Sequence, residues 1–287
     1  QKDCGYPYKE LAGCGVAYTV CRGLYFKARG QDYTVDTELA ALGTIADVVS
    51  LTGENRIIVK EGMKRFSHTP IKGLAALLKA SGIVHEDSEE VKRAEQISFG
   101  LAPRLNAAGR IAHAGEGVRL MTTDSSEEAE RLARDLCEIN LMRQKIEKEI
   151  FEQAQNRIAE LHIGSDMALV VDGKDWHPGV IGIVASRILE NFHRPVFVLT
   201  VRDGVGKGSC RSIPSFNIYE ALAGQSDLLL QYGGHKMAAG FSIAEENIPE
   251  FRRRMNEYAC RLLTEEDCIP VLDVEENISL DEVSLDF

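Results

Sequence analysis

The sequence predicts an α/β protein built from two α/β units that a long charged helix joins. Its 287 residues are too many for one ordinary core, because domains usually run to roughly 100–200 residues. Two short apolar strands at 167–171 and 195–199 flank a helical segment at 180–191, which indicates a strand–helix–strand crossover. The segment 125–161 has the apolar spacing of a long polar helix, a kind that usually bridges domains.

The composition argues against a disordered, membrane-spanning or disulfide-linked protein. The hydrophobic share of 44% and the charged share of 27% are ordinary for a globular chain. No apolar run reaches the roughly 20 residues of a transmembrane helix, and the N-terminus has no signal pattern. The 7 cysteines are scattered without a Cys-x-x-Cys pair, which argues against a disulfide framework or a zinc site. We therefore expect a cytoplasmic protein that does not contact membranes.

The net charge of −11 would ordinarily count against a nucleic-acid-binding protein, because phosphate binding draws on Lys and Arg. Net charge describes the whole surface, however. A cleft can be basic on an acidic body, particularly where that body also carries metal-binding carboxylates. The charge therefore leaves nucleic acid open as a partner.

The first part of the chain shows helical patterns. An apolar-periodic stretch covers 11–24, and a nearly uncharged run at 39–49 contains one acid, Asp47, before a turn-like segment at 52–55. An acid in such apolar surroundings predicts a buried carboxylate that is paired, protonated or bound to metal. Further helices are expected at 55–66, 70–80 and 88–99, the last with Ser88 as N-cap.

The second part continues the α/β pattern. The long helix begins at a Ser-Ser-Glu-Glu cap. Beyond the crossover we expect a strand at 204–212, a short helix at 217–223, a strand at 239–243 and an amphipathic helix at 248–263. The tail from residue 269 alternates as a strand would, at Val271, Val274 and Ile278, and predicts the start of a further β module.

Gly233, Gly234 and His235, backed by small residues at 238–240, predict a loop that grips a phosphate. Consecutive glycines bring backbone amides close to a ligand, and the histidine adds a side-chain donor. A plain glycine turn with an incidental histidine is the alternative.

The cluster 206–212 contains Ser209, Arg211 and Ser212 in a predicted strand. Alternation places Ser209 and Arg211 on one face, where a hydroxyl beside a guanidinium fork suits a terminal phosphate. An exposed edge strand with ordinary polar residues is the alternative.

Two further segments carry candidate substrate-binding residues. Arg104, Asn106 and Arg110 lie among small residues that leave room for a ligand, in a pattern unusual for a helix interior. His177 precedes the helix of the crossover, at the sheet edge where α/β proteins bind ligands. The alternatives are a loop with solvated charges for the first segment and a cap or packing role for His177.

In series, these segments resemble the RecJ-type single-stranded-DNA exonucleases of the DHH phosphoesterase superfamily. The similar strings keep the family order from about residue 6 to 243. They are YPYKELAGCGVAY, ALGTIADVVSLTGENR, APRLNAAGR, DWHPGVIGIVASR, GKGSCRSIPSFNIYEAL and GGHKMAAGFSI.

The resemblance implies the C-terminal part of a DHH domain, then a long helix, a DHHA1 domain and the start of an OB-fold-like module. The corresponding ranges are 1–115, 116–162, 163–263 and 264–287. The chain also lacks an initiator Met, and together these features predict a fragment without the N-terminal part.

The resemblance also implies roles for the candidate residues. Asp47 matches the last metal-binding acid of the DHH domain, and Arg104, Asn106 and Arg110 match a segment lining the DNA path. Ser209 and Arg211 match a 5′-phosphate pocket, with Ser212 and His177 as further substrate contacts. Gly233, Gly234 and His235 match the glycine–histidine motif, with His235 as a catalytic residue.

The implied activity is metal-dependent 5′-to-3′ hydrolysis of single-stranded DNA in repair and recombination, with two Mn²⁺ or Mg²⁺ ions. A single-stranded-DNA-binding protein or a helicase is an expected partner. The family's Asp-x-Asp and Asp-His-His ligands are absent from this sequence, so we expect this fragment to bind substrate and to be inactive alone.

Two alternatives stay open at this point. One is another DHH phosphodiesterase, of the oligoribonuclease or cyclic-dinucleotide type, or a pyrophosphatase. The other is a non-catalytic nucleic-acid-binding scaffold that keeps the fold.

Overall fold

The computed structural model describes residues 4–84, 91, 93–272, 274, 278 and 279. The chain divides into two compact units, residues 1–146 and residues 147–287. Helix α7 (Ser126–Glu160) begins in the first unit and ends in the second. No helix among the described residues has the length and apolarity that a membrane span requires.

The regular elements described in the first unit are all helices, so the described residues do not show the α/β character predicted for this unit. In chain order they are α1 (Gly13–Arg29), α2 (Thr37–Ala46), α3 (Gly53–Phe66), α4 (Lys72–Ala80), a π-helical turn (Gln96–Leu101), α5 (Ala102–Ile111), α6 (Gly115–Thr122) and the first part of α7.

One apolar core holds the first unit together. Leu74 and Leu77 of α4, Leu120 of α6, and Leu132 and Leu136 of α7 are fully buried in it. The expected start of α7 is confirmed, because the hydroxyl of Ser125 accepts a hydrogen bond from the Glu128 amide at 3.3 Å. The apolar stripe of α7, which includes Leu132 and Leu136, therefore packs into the core of the first unit.

Two local expectations in the first unit need correction. The turn expected at 52–55 is the beginning of α3, where the side-chain amide of Asn55 donates to the carbonyls of Glu10 and Ser50 and fixes the helix start. Of the helix expected at 88–99, the described end is a π-helical turn, and its predicted cap Ser88 lies outside the described residues.

A five-stranded sheet forms the centre of the second unit, in the order β1-β2-β3-β5-β4. The strands are β1 (Leu169–Lys174), β2 (Val196–Arg202), β3 (Val205–Arg211), β4 (Leu229–His235) and β5 (Ala238–Ala244). The predicted crossover is confirmed, since β1 and β2 are parallel and α8 (Ile181–Phe192) joins them. All other pairs are antiparallel.

Helices cover the two faces of the sheet unequally. Helix α8 contacts β2 and β3. Phe251 and Met255 of α10 (Ile248–Leu262) pack with Phe197 and Phe241 of the sheet in the apolar core of the second unit. The short helix α9 (Ile218–Ala223) contacts β4 and β5. The α8 face is therefore covered over the middle strands, while edge strand β4 has exposed residues from Gln231 to His235 apart from half-buried Tyr232.

The phosphate-gripping loop predicted at 233–235 is not a loop, because these residues end strand β4. A two-residue turn at 236–237 connects them to β5, and His235 pairs with Ala238 across it. In the tail, the described residues Val271, Val274 and Ile278 lie outside any strand, and residues 280–287 lie outside the described part. The further β module stays a prediction.

Candidate nucleic-acid interface

The second unit has a groove on the α8 face of its sheet, which we call the sheet groove. Its volume is about 490 Å³. Its lining comes from the start of α8 and from strands β3, β4 and β5, as Pro178, Ile181, Lys207, Gly208, Ser209, Gln231, Tyr232, Gly233, Gly240, Phe241 and Ser242. Among these residues there is no carboxylate, although the whole chain carries a charge of −11.

Strand register arranges this face in three cross-strand rows, since residues directly opposite each other in antiparallel strands share a face. The first row contains Arg211, Ala238 and His235. The second row contains Ser209, Gly240 and Gly233, and the third contains Lys207, Ser242 and Gln231. The middle row thus has a low floor at Gly240 and Gly233 and bears the Ser209 hydroxyl at its β3 end, between two rows that also bear polar side chains.

Ser209 and Arg211 meet as the sequence predicts. A guanidinium nitrogen of Arg211 lies 3.4 Å from the Ser209 hydroxyl, which accepts its hydrogen bond, and donates to the Cys210 carbonyl at 2.8 Å. A Cβ at Gly182, in the first turn of α8, would lie 2.9 Å from the Ser209 oxygen and 3.3 Å from Arg211. Glycine at this position therefore lets a helix N-terminus approach the pair, and such a terminus favours anions.

The Arg211 guanidinium is half-buried, and none of the described carboxylates lies within salt-bridge distance of it. Burial lowers the pKa of Arg211 from its ordinary value. A guanidinium stays charged in proteins all the same. A cation with little compensation, beside a hydroxyl and a helix N-terminus, is suited to bind an anion.

Gly233 and Gly234 of the glycine–histidine motif differ in what glycine does at each position. Gly234 has a φ of +147°, and a Cβ there would lie 2.5 Å from the Ala238 carbonyl oxygen, so the hairpin itself requires glycine. Gly233 has nothing within 4 Å of such a Cβ. The space above Gly233 is open floor of the sheet groove, which leaves room for a ligand to approach the backbone.

Three predicted contacts lie at the margin of the groove or outside it. His235 is exposed at the end of β4, where its Nδ1 accepts from the Met237 amide at 3.3 Å. His177 accepts from the Gly179 amide at 3.1 Å through Nδ1, which supports its alternative as a cap. Ser212 is only 5% exposed and its hydroxyl donates to the Phe216 carbonyl at 2.7 Å, so it organises the following loop instead of facing a ligand.

The first unit has a separate groove of about 650 Å³, which we call the helical groove. It brings together three predicted residues, Asp47, Asn106 and Arg110. The rest of its lining is small, from the start of α1 and the ends of α2 and α5, as Ala12, Gly13, Cys14, Gly43, Ala46 and Gly109. Asn106, Gly109 and Arg110 are exposed on α5, while Ala107 and Ala108 are buried against the core.

The segment 103–110 is helical, which corrects the view that its pattern is unusual for a helix. Pro103 stands in the first turn of α5, where a missing backbone N–H costs nothing. The alanines let the helix pack closely. The spacing of Asn106 and Arg110 then puts both side chains on one exposed face.

Helix α1 also faces the helical groove with its N-terminus. Its first turn has no side-chain cap, and Ala12, Gly13 and Cys14 line the groove. The first backbone amides of a helix have no intrahelical partner. Together with Arg110 and Asn106 they supply donors for phosphate oxygens.

Asp47 is exposed, so the expectation of a buried acid is wrong. Helix α2 ends at Ala46, and a φ of +56° at Val48 turns the chain outward, leaving Val48 82% exposed. No cluster of three or more His, Cys, Asp or Glu side chains that could hold a metal ion occurs in the described part of the chain. Asp47 could supply one ligand, but the described residues do not form a metal centre by themselves.

Arg104 does not line the helical groove. It donates to the carbonyl of Gly100 and, at 3.4 Å, to that of Ser81 at the end of α4. Its Nε is buried without a partner. Those contacts give Arg104 a role in joining α5 to α4.

The sequence interpretation missed residues in both grooves. Lys207 lies in the family-like segment GKGSCRSIPSFNIYEAL. Its alternation with Ser209 and Arg211 along a strand would have placed it on the same face. Gln231 and Ser242 needed the strand register, which no local pattern gives. The start of α1 carried only the signal of small residues at 12–15.

Comparison with known proteins gives one family match within the chain. Residues 165–260 match the family described as the DHHA1 domain. This range covers the whole sheet and helices α8, α9 and nearly all of α10.

Several curated proteins are similar over most of this chain. The single-stranded-DNA-specific exonuclease RecJ of Bacillus subtilis is 41% identical over 288 residues, covering 100% of this chain and 36% of that protein. RecJ of Escherichia coli is 37% identical over 276 residues, covering 89% of this chain and 47% of that protein. The chain thus spans about a third to a half of the length of the curated relatives it matches.

Solved structures of RecJ are also similar to this chain. A crystal structure of RecJ in complex with Mn²⁺ from Thermus thermophilus has a TM-score of 0.79 at 38% identity, covering 88% of this chain and 37% of that one. A structure of exonuclease RecJ bound to manganese has a TM-score of 0.77 at 38% identity, covering 90% of this chain and 63% of that one. The α/β fold with a long helix is therefore confirmed.

Proposed function

Because this chain belongs to the RecJ-type group of the DHH/DHHA1 superfamily, we propose that it is the substrate-gripping part of a metal-dependent single-stranded-DNA exonuclease. In this proposal the sheet groove holds the 5′-terminal phosphate. The helical groove contacts the DNA backbone and contributes Asp47 to a metal centre. Hydrolysis proceeds from the 5′ end toward the 3′ end.

The observation that carries the proposal is the Ser209–Arg211 pair. A half-buried guanidinium, a hydroxyl 3.4 Å away and the N-terminus of α8 come together where Ser209 lines a groove that has no carboxylate in its lining, and Arg211 itself lies next to this lining. A terminal phosphate offers three oxygens and roughly two negative charges, and so can use all of these donors at once. An internal phosphodiester has fewer free oxygens and a single charge, so this pocket favours a strand end.

The metal requirement of the proposal rests on Asp47 and on the family. Mn²⁺ and Mg²⁺ prefer oxygen ligands, and Asp47 is an exposed carboxylate in the helical groove. One carboxylate does not hold a pair of ions. We therefore propose that the remaining ligands belong to parts of the enzyme outside the described residues, and that this chain alone does not hydrolyse DNA.

His235 remains in the proposal as a residue that touches the terminal nucleotide. It stands in the same cross-strand row as Arg211. Its Nδ1 accepts from the Met237 amide, which leaves Nε2 as the nitrogen that can carry a proton toward a ligand. Work in DNA repair and recombination, with a single-stranded-DNA-binding protein or a helicase as partner, is the proposed setting of the intact enzyme.

A binding experiment tests whether the chain binds a 5′-terminal phosphate. Fluorescently labelled oligothymidylate is titrated with this chain in the absence of divalent metal, with either a 5′-phosphate or a 5′-hydroxyl. The proposal predicts at least about tenfold tighter binding of the phosphorylated strand, because charge-assisted hydrogen bonds contribute about 1.5–3 kcal/mol. Equal affinities would contradict it.

A nuclease assay tests the incomplete metal centre. The purified chain is incubated with 5′-phosphorylated single-stranded DNA and Mn²⁺, and products are resolved on a gel. We expect no metal-dependent digestion above a no-protein control. Robust release of mononucleotides by the wild-type chain would overturn this part of the proposal.

A further inference from the structure

The third row of the sheet groove has no role in the grip on the terminal phosphate. Lys207, Ser242 and Gln231 stand side by side on β3, β5 and β4, on the same face as Ser209 and Arg211. All three line the groove. Their side chains form no hydrogen bond or ion pair with any described residue, so their polar groups are available to a ligand.

Resting on the proposed function, we infer that Lys207, Gln231 and Ser242 form a subsite for the second nucleotide of the strand. The ammonium group of Lys207 binds the phosphodiester between the first and second nucleotides. The Gln231 amide and the Ser242 hydroxyl bind polar atoms of the second sugar or base. The ligand class is a 5′-phosphorylated single strand of at least two nucleotides.

Charge favours an anionic ligand at this row. Lys207 is exposed, and none of the residues lining the sheet groove is acidic. An ammonium group gains most from an oxygen that carries a full charge, and a phosphodiester supplies one. Gln231 and Ser242 are neutral and can both donate and accept, which suits base edges and the ring oxygen of deoxyribose.

Spacing allows a nucleic-acid strand to run along β3. Alternate residues of a β-strand are about 6.8 Å apart, so the Lys207 row lies about 6.8 Å from the Ser209 row. Successive phosphates of a nucleic-acid strand are separated by one sugar and its ester bonds, a distance of the same order as this row spacing. A phosphate at Ser209 therefore leaves the next phosphate within reach of Lys207.

The two glycines in the Ser209 row are consistent with this path. A Cβ at Gly233 would meet nothing within 4 Å, and one at Gly240 would meet only the Gly208 carbonyl oxygen at 3.6 Å. The floor beside Ser209 is therefore low and open. A terminal sugar can lie on it, with the 5′-phosphate at Ser209 and Arg211 and the next phosphate at Lys207, one row away.

The test compares a mononucleotide with a dinucleotide on this chain, without divalent metal. Binding of thymidine 5′-monophosphate and of 5′-phosphorylated dithymidylate is measured by competition against a labelled oligonucleotide. We expect the dinucleotide to bind more tightly, and Lys207→Gln to remove about three- to tenfold of its affinity while leaving the mononucleotide unchanged. Lys174→Gln, an exposed lysine at the far end of the sheet on β1, is the matched control and should change neither.

Salt dependence provides a second readout that misfolding would not produce. Each phosphate contact with a long single strand contributes about 0.7 to the slope of log affinity against log salt, so Lys207→Gln should lower the slope for oligothymidylate by about 0.7. An unchanged dinucleotide affinity, or an equal loss for both ligands, would overturn the subsite. If wild-type chain binds thymidine 5′-monophosphate no better than thymidine, the proposed function itself fails, which is a different result.

Discussion

The two grooves differ in what builds them and in the charge they present. In the sheet groove, strand register sets every side chain in a row, glycines form the floor, and no lining residue is acidic. In the helical groove, three helices bring small residues together, and a carboxylate, Asp47, lies with a cation, Arg110. The first arrangement suits a bare phosphate end, whereas the second suits a phosphate backbone that a metal ion accompanies.

The largest expected effect concerns the backbone of the sheet groove. Gly234→Ala forces a Cβ against the Ala238 carbonyl at a φ of +147°, which stores about 1–3 kcal/mol of strain and displaces the hairpin. Thermal unfolding followed by circular dichroism should show a clear fall in midpoint. Gly233→Ala is the control: its midpoint should hold while binding of 5′-phosphorylated DNA weakens, because the methyl group fills open floor. Equal melting midpoints for the two variants would contradict a structural role for Gly234 that Gly233 does not share.

The next effect compares a cysteine in the helical groove with a cysteine buried behind the sheet groove. Cys14 lines the helical groove, while Cys210 is fully buried on the opposite face of the sheet from the sheet groove. Burial raises the pKa of Cys210 to about 12. A raised thiol pKa keeps the group protonated and unreactive at pH 8, since the thiolate is the nucleophile.

We therefore expect iodoacetamide at pH 8 to label Cys14 much faster than Cys210, as followed by peptide mass spectrometry. Bound oligothymidylate should slow labelling of Cys14. The exposed Cys260 serves as the reference and should not respond to DNA. Protection of Cys260 to the same degree as Cys14 would indicate general shielding instead of binding in the helical groove.

The smallest effect concerns the carboxylate that distinguishes the helical groove from the sheet groove. Asp47→Asn removes one exposed negative charge near Arg110, so without divalent metal the variant should bind single-stranded DNA about two- to fivefold more tightly at low salt. Added Mn²⁺ should strengthen DNA binding by the wild-type chain and not by the variant. An identical response of both proteins to Mn²⁺ would argue against Asp47 as a metal ligand.

The sheet unit was more predictable from sequence than the helical unit, for physical reasons. Strand alternation alone put Ser209 and Arg211 on one face, and the crossover of β1, α8 and β2 followed from apolar runs. Register across β3, β5 and β4 depends on contacts distant in sequence, so the row of Lys207, Gln231 and Ser242 needed the structure.

The sequence predictions that the structure corrects mostly concern the local environment of single residues. Asp47 sits in an apolar run, but the end of α2 exposes it, because burial depends on where the helix stops. Gly233 and Gly234 suggested a loop, since glycine marks turns more often than strands, and here Gly234 meets the demand of a tight hairpin. Ser212 and Arg104 carry polar groups that the fold itself uses.

We expect the sheet groove to distinguish a 5′-phosphate from a 5′-hydroxyl and the helical groove to treat both alike. The most direct measurement is the ratio of affinities for 5′-phosphorylated and 5′-hydroxyl oligothymidylate in Arg211→Ala and Arg110→Ala, with melting curves to verify folding. Arg211→Ala should reduce the ratio to about one, because the charge-assisted bonds to the terminal phosphate are lost. Arg110→Ala should weaken both ligands alike and keep the ratio. Loss of the ratio in Arg110→Ala, with its retention in Arg211→Ala, would contradict these roles of the two grooves.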